Sequence, residues 1–149
     1  MNIIWQKSYK RLRESKINSF FIDIFKVQPS QLFLSNDKMM RLQQTFSPSA
    51  FALHEPLPIK QLDDKIIFTD GHTRAYLYWQ ANIKEIPVYW DDDPLHYDLY
   101  KLCVEWCLSE KIFHIGHLQH RILPHSQYET QWIKRCINAE KSMTNYTLF

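Results

Sequence analysis

Ile66-Ile67-Phe68-Thr69-Asp70-Gly71-His72-Thr73-Arg74-Ala75 changes its hydrophobic period halfway along, and the architecture of the chain follows from that change. Residues 66–69 form an apolar, β-branched run that is typical of a buried strand. Residues 73–81 instead repeat their apolar positions at helical spacing. Asp70 and Gly71 separate the two patterns and are both poor strand formers. The stretch therefore predicts a strand, a tight turn and a helix.

The turn at Gly71 is the strongest functional signal in the sequence. The chain has only two glycines, so each is expected at a position where a side chain would not fit. A strand ending at Thr69 and a helix beginning near His72 would direct free backbone amides and the positive end of a helix dipole at one point. Such a point suits an anion, and phosphate is the usual occupant.

The side chains of the turn agree with a phosphate site. His72 and Thr73 would add donors beside the amides of Gly71 to Thr73, and Arg74 offers a planar fork that matches phosphate oxygens. Asp70 is expected to position the turn or to help hold Mg²⁺, and His72 is the candidate proton-transfer group. The alternative is a well-capped helix start that carries an exposed arginine and binds nothing.

The flanking sequence predicts a small mixed sheet with packed helices, an α/β (α+β) fold. Residues 20–27 indicate a strand, and residues 36–46 a helix with Ser35 or Asn36 as its N-cap. From residue 57 the chain alternates to residue 62, turns at 63–65 and runs apolar again at 66–69, as a β-hairpin does. Asn82 is expected in a left-handed conformation after the central helix, before a strand at 83–90.

Pro87 should place that last strand near a sheet edge or put the proline near the start of the strand. The whole chain, 1–149, is expected to form one domain with three parts. An amphipathic helix occupies 1–18, an α/β core occupies 20–92, and a helical extension that caps the sheet occupies 94–149, with helices at 95–110, 115–122 and 126–141.

Composition narrows the class of protein. With 45% hydrophobic and 23% charged residues the chain has the apolar content that disordered chains lack. No apolar run approaches the roughly 20 residues of a membrane span, and the first residues do not resemble a signal peptide, so a cytoplasmic protein without membrane contact is expected. A net charge of +2 is below that of a dedicated nucleic-acid binder, although one basic cluster in the first helix could attract an anionic polymer: Lys7, Lys10, Arg11, Arg13 and Lys16.

Three other residue groups have a structural and a functional interpretation. The cysteines, Cys103, Cys107 and Cys136, lie in segments with apolar residues at helical spacing and are expected to be reduced core thiols. His114, His117 and His120 would splay by about 120° on a helix, which disfavours a shared metal ion. Asp91-Asp92-Asp93 could hold a cation, but Asp93 as the N-cap of a helix with Pro94 in its first turn is the favoured interpretation.

The tryptophans of the periodic segments are expected in the core, at Trp79, Trp90, Trp106 and Trp132. Trp90 has an alternative role, because it ends a strand close to the proposed site. There its indole could stack on a nucleotide base.

The stretch 66–75, followed by Glu85-Ile86-Pro87-Val88, resembles the ParB/sulfiredoxin-like superfamily. In that superfamily a core strand runs into a Gly-x-x-Arg helix and then into a strand that reads x-Ile/Val-Pro-Val. Residues 27–32 and 57–60 are similar to its first strand and its Pro-Ile strand, so the resemblance covers about residues 20–92. It implies the fold and a nucleotide at the turn, with ATP, ADP or CTP as candidates and Mg²⁺ as a companion ion.

The branches of the superfamily differ at the residues of this loop. Sulfiredoxins have a reactive cysteine where this chain has His72, so their thiolate chemistry is excluded here. Partition ParB proteins read Gly-Glu-Arg-Arg, and differ at His72 and Thr73. The loop is most similar to the free-serine kinase branch, Asp-Gly-His-His-Arg, with a departure only at Thr73. Those kinases use an early glutamate as base, whereas residues 29–31 contain no carboxylate, which leaves Asp23 or Glu55 as substitutes.

The leading hypothesis is thus a nucleotide-binding ParB-like domain, with hydrolysis or small-molecule phosphotransfer as its candidate activities. One alternative is a ParB-like DNA-binding or nuclease module, in which the same turn holds a backbone phosphate. The other is an interaction domain that retains the fold without the ligand.

Overall fold

The structure is a computed structural model that describes residues 18–147, apart from the side chains of 51–53 and 144–147. The predicted N-terminal helix and its basic cluster lie outside the described residues.

The central element is a five-stranded mixed sheet. Its strands are β1 (Phe20–Asp23), β2 (Val27–Gln28), β4 (Leu57–Leu62), β5 (Lys65–Phe68) and β6 (Glu85–Trp90), in the spatial order β1-β6-β4-β5-β2. β4 pairs antiparallel with β5 and parallel with β6, whereas β1 is antiparallel to β6 and β2 is parallel to β5. Two short strands, β3 (Leu34–Ser35) and β7 (Ile122–Leu123), form a separate parallel pair. The predicted α+β class is confirmed.

Helices surround this sheet. They are α1 (Asn36–Gln43), α2 (His72–Gln80), α3 (Tyr97–Ser109), α4 (His125–Tyr128) and α5 (Lys134–Thr147), with a π-helical segment at Glu129–Ile133 that joins α4 to α5. Short 3₁₀ turns occupy Ile24–Lys26, Pro48–Leu53 and Ile115–Leu118. Asn82 has φ 61°, so the left-handed residue predicted after the central helix is confirmed.

The predicted strand at 20–27 is wrong as a single element. The Asp23 carboxylate accepts a hydrogen bond from the Phe25 amide at 2.9 Å and starts a 3₁₀ turn in the middle of the run. The two flanking pieces then pair at opposite edges of the sheet, β1 with β6 and β2 with β5. A continuous strand could not reach both edges, so pairing overrides the β propensity of residues 24–26.

The predicted helix at 115–122 is also wrong, because only Ile115–Leu118 form a 3₁₀ turn. The His114 and His117 imidazoles accept hydrogen bonds from backbone amides of this segment and close the turn within one winding. The chain then extends and pairs with β3, which a continuing helix would prevent.

Pro87 lies in an interior strand and not at a sheet edge, since β6 has neighbours on both sides. Phe21 of β1 is opposite Pro87, but the ladder to β4 begins one residue later, with Leu57 opposite Val88. The proline therefore precedes the paired part of β6 on the β4 side, where a missing N–H is tolerated.

The two faces of the sheet carry different layers. Alternate residues of the central strands, among them Ile59, Phe68 and Val88, are fully buried in the main core together with the apolar side of α2. On the opposite face Leu62 and Ile67 pack against Val104 of α3. Burial of each such aliphatic side chain contributes about 1.5–3 kcal/mol. The predicted cap on the sheet is present, and it places α3 over the end of β5.

No helix among the described residues has both the length and the apolar character that crossing a membrane requires.

Candidate functional site

Gly71 forms the junction between β5 and α2 in the left-handed conformation, with φ 75° and ψ 22°. Its amide donates to Asp70 Oδ1 at 2.7 Å, so the aspartate holds the turn. A Cβ on Gly71 would lie 2.7 Å from Leu57 Cδ2 and 3.2 Å from Arg74 Nη2. Both the positive φ and the crowding favour glycine here.

The first turn of α2 presents unpaired donors. The amides of His72, Thr73 and Arg74 make no hydrogen bond to any described residue, and no side chain caps the helix. The prediction that the Gly71 amide binds the anion is wrong, because this amide already donates to Asp70 Oδ1. Three adjacent amides, numbered 72 to 74, therefore remain directed at one point.

Arg74 folds back over the turn. Its Nη1 donates to the Glu55 carbonyl oxygen at 2.8 Å, and its Nη2 faces the α-carbon of Gly71. Burial lowers the pKa of Arg74, and the negative charge of Asp70 is the main influence that opposes this. The alternative of an exposed arginine does not describe this side chain. Its guanidinium is held over the turn with further N–H groups left to donate.

His72 is buried, with 4% of its surface exposed. Its Nε2 accepts a hydrogen bond from the Ser30 amide at 3.0 Å, and its ring meets the Phe68 ring edge-on at 5.7 Å. Burial, with the positive charge of Lys38 as a second cause, lowers the pKa of His72 to about 3. The imidazole is therefore neutral near pH 7, and the predicted proton-transfer role does not fit it.

The other ring nitrogen of His72, Nδ1, is buried and makes no hydrogen bond to any described residue. A buried donor that is left unpaired costs about 1–3 kcal/mol. A ligand acceptor at this point would remove that cost.

Lys38 is a site residue that sequence reasoning missed. It lies in the first turn of α1, where Ser35 is the N-cap and accepts from the Lys38 amide at 3.3 Å. Burial lowers the pKa of Lys38, the charge of Asp70 raises it, and the charges of Arg74 and Arg41 lower it further. Lys38 thus belongs to the same electrostatic group as the turn. No local sequence motif predicts that Lys38 lies at the site, because its position depends on the packing of α1 against α2.

The carboxylates of Asp91, Asp92 and Asp93 lie within 4.8 Å of one another. They are joined to the end of β5, since Thr69 Oγ1 donates to Asp91 Oδ2 at 2.9 Å. The prediction that Asp93 caps the next helix is wrong: α3 begins later, and His96 Nδ1 accepts from the Leu99 amide at 3.2 Å. The Asp93 amide instead donates to Asp91 Oδ1, and its carbonyl oxygen accepts from Lys60 Nζ.

Of the two carboxylates considered as a substitute base, the fold brings Glu55 to the site. Its carbonyl oxygen binds Arg74, and its charge raises the pKa of Arg74. Asp23 lies on β1, at the opposite side of the sheet from β5, and caps a 3₁₀ turn.

The cysteines, histidines and tryptophans that the sequence singled out have structural roles. The three cysteines are free and buried, as expected. The rings of His114 and His117 are tilted by 31° with centroids 3.8 Å apart, and both imidazoles cap one turn. Trp132 is in the core, but Trp90 is half exposed against Phe20, so the prediction that Trp90 lies in the core is wrong.

Searches against protein-family models, curated proteins and solved structures find no match to this chain. The resemblance to the ParB/sulfiredoxin-like superfamily stays a prediction that rests on residues 20–92.

Proposed function

We propose that this chain is a ParB-like nucleotide-binding domain that holds phosphate at the Gly71 turn. The observation that carries the proposal is a surplus of hydrogen-bond donors at one place. Three backbone amides, the buried Nδ1 of His72 and part of the Arg74 guanidinium have no acceptor among the described residues. A phosphate group supplies several oxygens that only accept, and it matches that surplus.

Charge supports the same ligand. Lys38 and Arg74 bring two positive side chains to the turn, and the start of α2 adds the positive end of its dipole. Asp70 opposes them, but one of its oxygens is engaged by the Gly71 amide. These two cations, together with the unpaired amides at the start of α2, favour an anion at the turn.

A nucleotide is favoured over free phosphate for two reasons. The loop resembles that of nucleotide-binding members of the ParB/sulfiredoxin-like superfamily, which implies ATP, ADP or CTP. In addition, the carboxylates of Asp91–Asp93 adjoin the end of β5 and are the oxygen ligands that Mg²⁺ prefers. If the domain transfers the phosphoryl group, Glu55 is the carboxylate that we propose as base on an acceptor hydroxyl, because its charge acts on Arg74.

Thermal unfolding with ATP, ADP and CTP, with and without Mg²⁺, tests the proposal. A bound nucleotide at a hundredfold excess over its Kd stabilises a protein by about 2.7 kcal/mol. Arg74→Ala should abolish this shift. Arg121→Ala is the matched control, because Arg121 also binds a backbone carbonyl, that of Leu32 at 2.7 Å, but its ring contact is with Phe33 and not with a residue of the turn. The control should keep the nucleotide shift even if its own melting temperature falls.

Two outcomes would contradict the proposal. A shift with a short DNA duplex that weakens steeply with salt, and none with nucleotides, would favour the DNA-binding or nuclease alternative. No shift with any nucleotide or nucleic acid would favour an interaction domain.

A further inference from the structure

We infer that Ser30 is a positioning residue for the phosphate site: its backbone N–H fixes the tautomer of His72, so that His72 donates its Nδ1–H to a phosphate oxygen. The inference rests on the proposed function and adds to it a residue from another loop and a defined proton position.

The tautomer follows from the hydrogen bonds of Ser30. A backbone amide can only donate, so the contact from Ser30 N to His72 Nε2 at 3.0 Å requires a lone pair on Nε2. The Ser30 hydroxyl donates to the Phe68 carbonyl at 2.7 Å, so its 3.4 Å approach to Nε2 carries no second proton. A neutral imidazole has one N–H, and here it must be on Nδ1.

Ser30 is itself held firmly. Its side chain is buried, and the hydroxyl is bound to the end of β5, directly before the turn. On either side of it, Gln28 Nε2 donates to the Pro29 carbonyl and the Cys107 thiol donates to the Gln31 carbonyl. The amide that orients His72 is therefore in place before any ligand arrives.

The proton on Nδ1 then belongs to the site. Nδ1 is bonded to Cγ, so it is the ring nitrogen nearer to the backbone of His72, the first residue of α2. It is buried and has no hydrogen-bond partner in the part of the chain that the structure describes. Burial and Lys38 keep the ring neutral, so His72 adds a donor without adding a charge. Such a point accepts an oxygen that carries no proton, as in a phosphate or phosphate ester, and rejects a ligand group that itself donates.

Nitrogen NMR on protein labelled with ¹⁵N-histidine reads the proton position directly. At neutral pH the His72 ring should show a protonated Nδ1 and an unprotonated Nε2. On titration with inorganic phosphate the Nδ1 signal should move and its proton should exchange more slowly. Ser30→Ala is the control, because it removes the hydroxyl but keeps the amide, and it should leave the tautomer unchanged.

Two His72 variants separate the two nitrogens. His72→Gln can still present an acceptor to Ser30 at the far end but has no donor at the Nδ1 position. It should weaken phosphate binding roughly tenfold, the effect of about one hydrogen bond. His72→Asn keeps a donor near Nδ1 but cannot reach Ser30. It should lower the melting temperature and retain more phosphate affinity than His72→Gln.

The results distinguish a failure of this inference from a failure of the proposed function. Wild-type protein that binds neither phosphate nor nucleotide contradicts the proposed function. Protein that binds phosphate while His72 is protonated on Nε2, or while its Nδ1 signal does not move, contradicts the role of Ser30 and His72 alone. Equal phosphate affinity in His72→Gln and wild type would have the same consequence.

Discussion

Gly71 shows how much a single residue determines at this site. Its left-handed backbone turns the chain from β5 into α2, and the space that a Cβ would fill is taken by Leu57 and Arg74. The same residue thus orients the free amides and lets the guanidinium close over them. Glycine was the right signal in the sequence because no other residue meets both demands without strain.

Gly71→Ala should destabilise the protein by more than the roughly 1–2 kcal/mol of a non-glycine residue in this conformation. The extra loss comes from the close approach of the new Cβ to Leu57 Cδ2. Asn82→Ala is a matched control, because Asn82 also has a positive φ, of 61°. Urea unfolding of both variants should give the larger loss for Gly71→Ala. Equal losses would mean that Leu57 and Arg74 relax away, and that crowding does not define the turn.

At the scale of elements, caps decide where helices begin and end. Ser35, one of the two N-cap candidates in the sequence, begins α1. It thereby places Lys38 near the turn. His96 and His114 act as N-caps through their Nδ1 atoms, a role that the residue type does not announce. His96 begins α3 at Tyr97, two residues after the start that hydrophobic spacing predicts, and His114 begins the 115–118 turn at the predicted residue.

The histidine cap of the 115–118 turn should make stability sensitive to acid. His114 Nδ1 accepts from the Gly116 amide at 3.1 Å, and a protonated ring could not. Burial, and then the neighbouring His117, lowers the pKa of His114 in the folded state from its ordinary value of 6.5. The unfolded chain therefore takes up the proton first as pH falls. This stabilisation is complete above about pH 6.5 and is lost below it, toward the lowered pKa.

His114→Asn keeps a cap acceptor and removes the titration. Its free energy of unfolding should fall less than that of wild type between about pH 7 and pH 5. Denaturant titrations across this range measure the difference. The contribution of His72 has the same sign and is common to both proteins, so it cancels. Parallel pH profiles for the two proteins would show that the His114 cap does not couple to folding.

For the whole molecule, the site depends on loops that meet at one end of the sheet. The Gly71 turn, the Ser30 loop and the Asp91 loop come from separate parts of the chain and are joined by hydrogen bonds, and Lys38 at the start of α1 acts on the turn through its charge. The helical third closes this end as well, since Tyr100 of α3 donates to the Thr69 carbonyl at 3.0 Å. Packing of α3 and α5 is therefore part of what holds the site together.

Thiol accessibility should report on that packing. Cys103 and Cys136 lie on facing helices, and their mutual contact and burial raise the pKa of Cys103. Burial raises the pKa of Cys107 to about 12. All three thiols should resist a disulfide reagent in the native protein and react together on unfolding. Ser109→Cys, which is exposed on α3, should react at once. Rapid labelling of the native cysteines would show instead that α3 and α5 separate readily.

Local chemistry in the chain was enough to predict the hairpin, the glycine turn, α2 and the left-handed Asn82, because each depends on neighbouring residues alone. The break at residues 24–26, the interior position of Pro87 and the short turn at 115–118 depend on which strands pair, and no local pattern encodes the partner. For the same reason the sequence did not predict that Ser30 and Lys38 lie at the site, since only the tertiary structure brings them to the turn. Hydrogen bonds and charges act through space, so residues 42 positions apart, such as Ser30 and His72, become neighbours only once the loops have met.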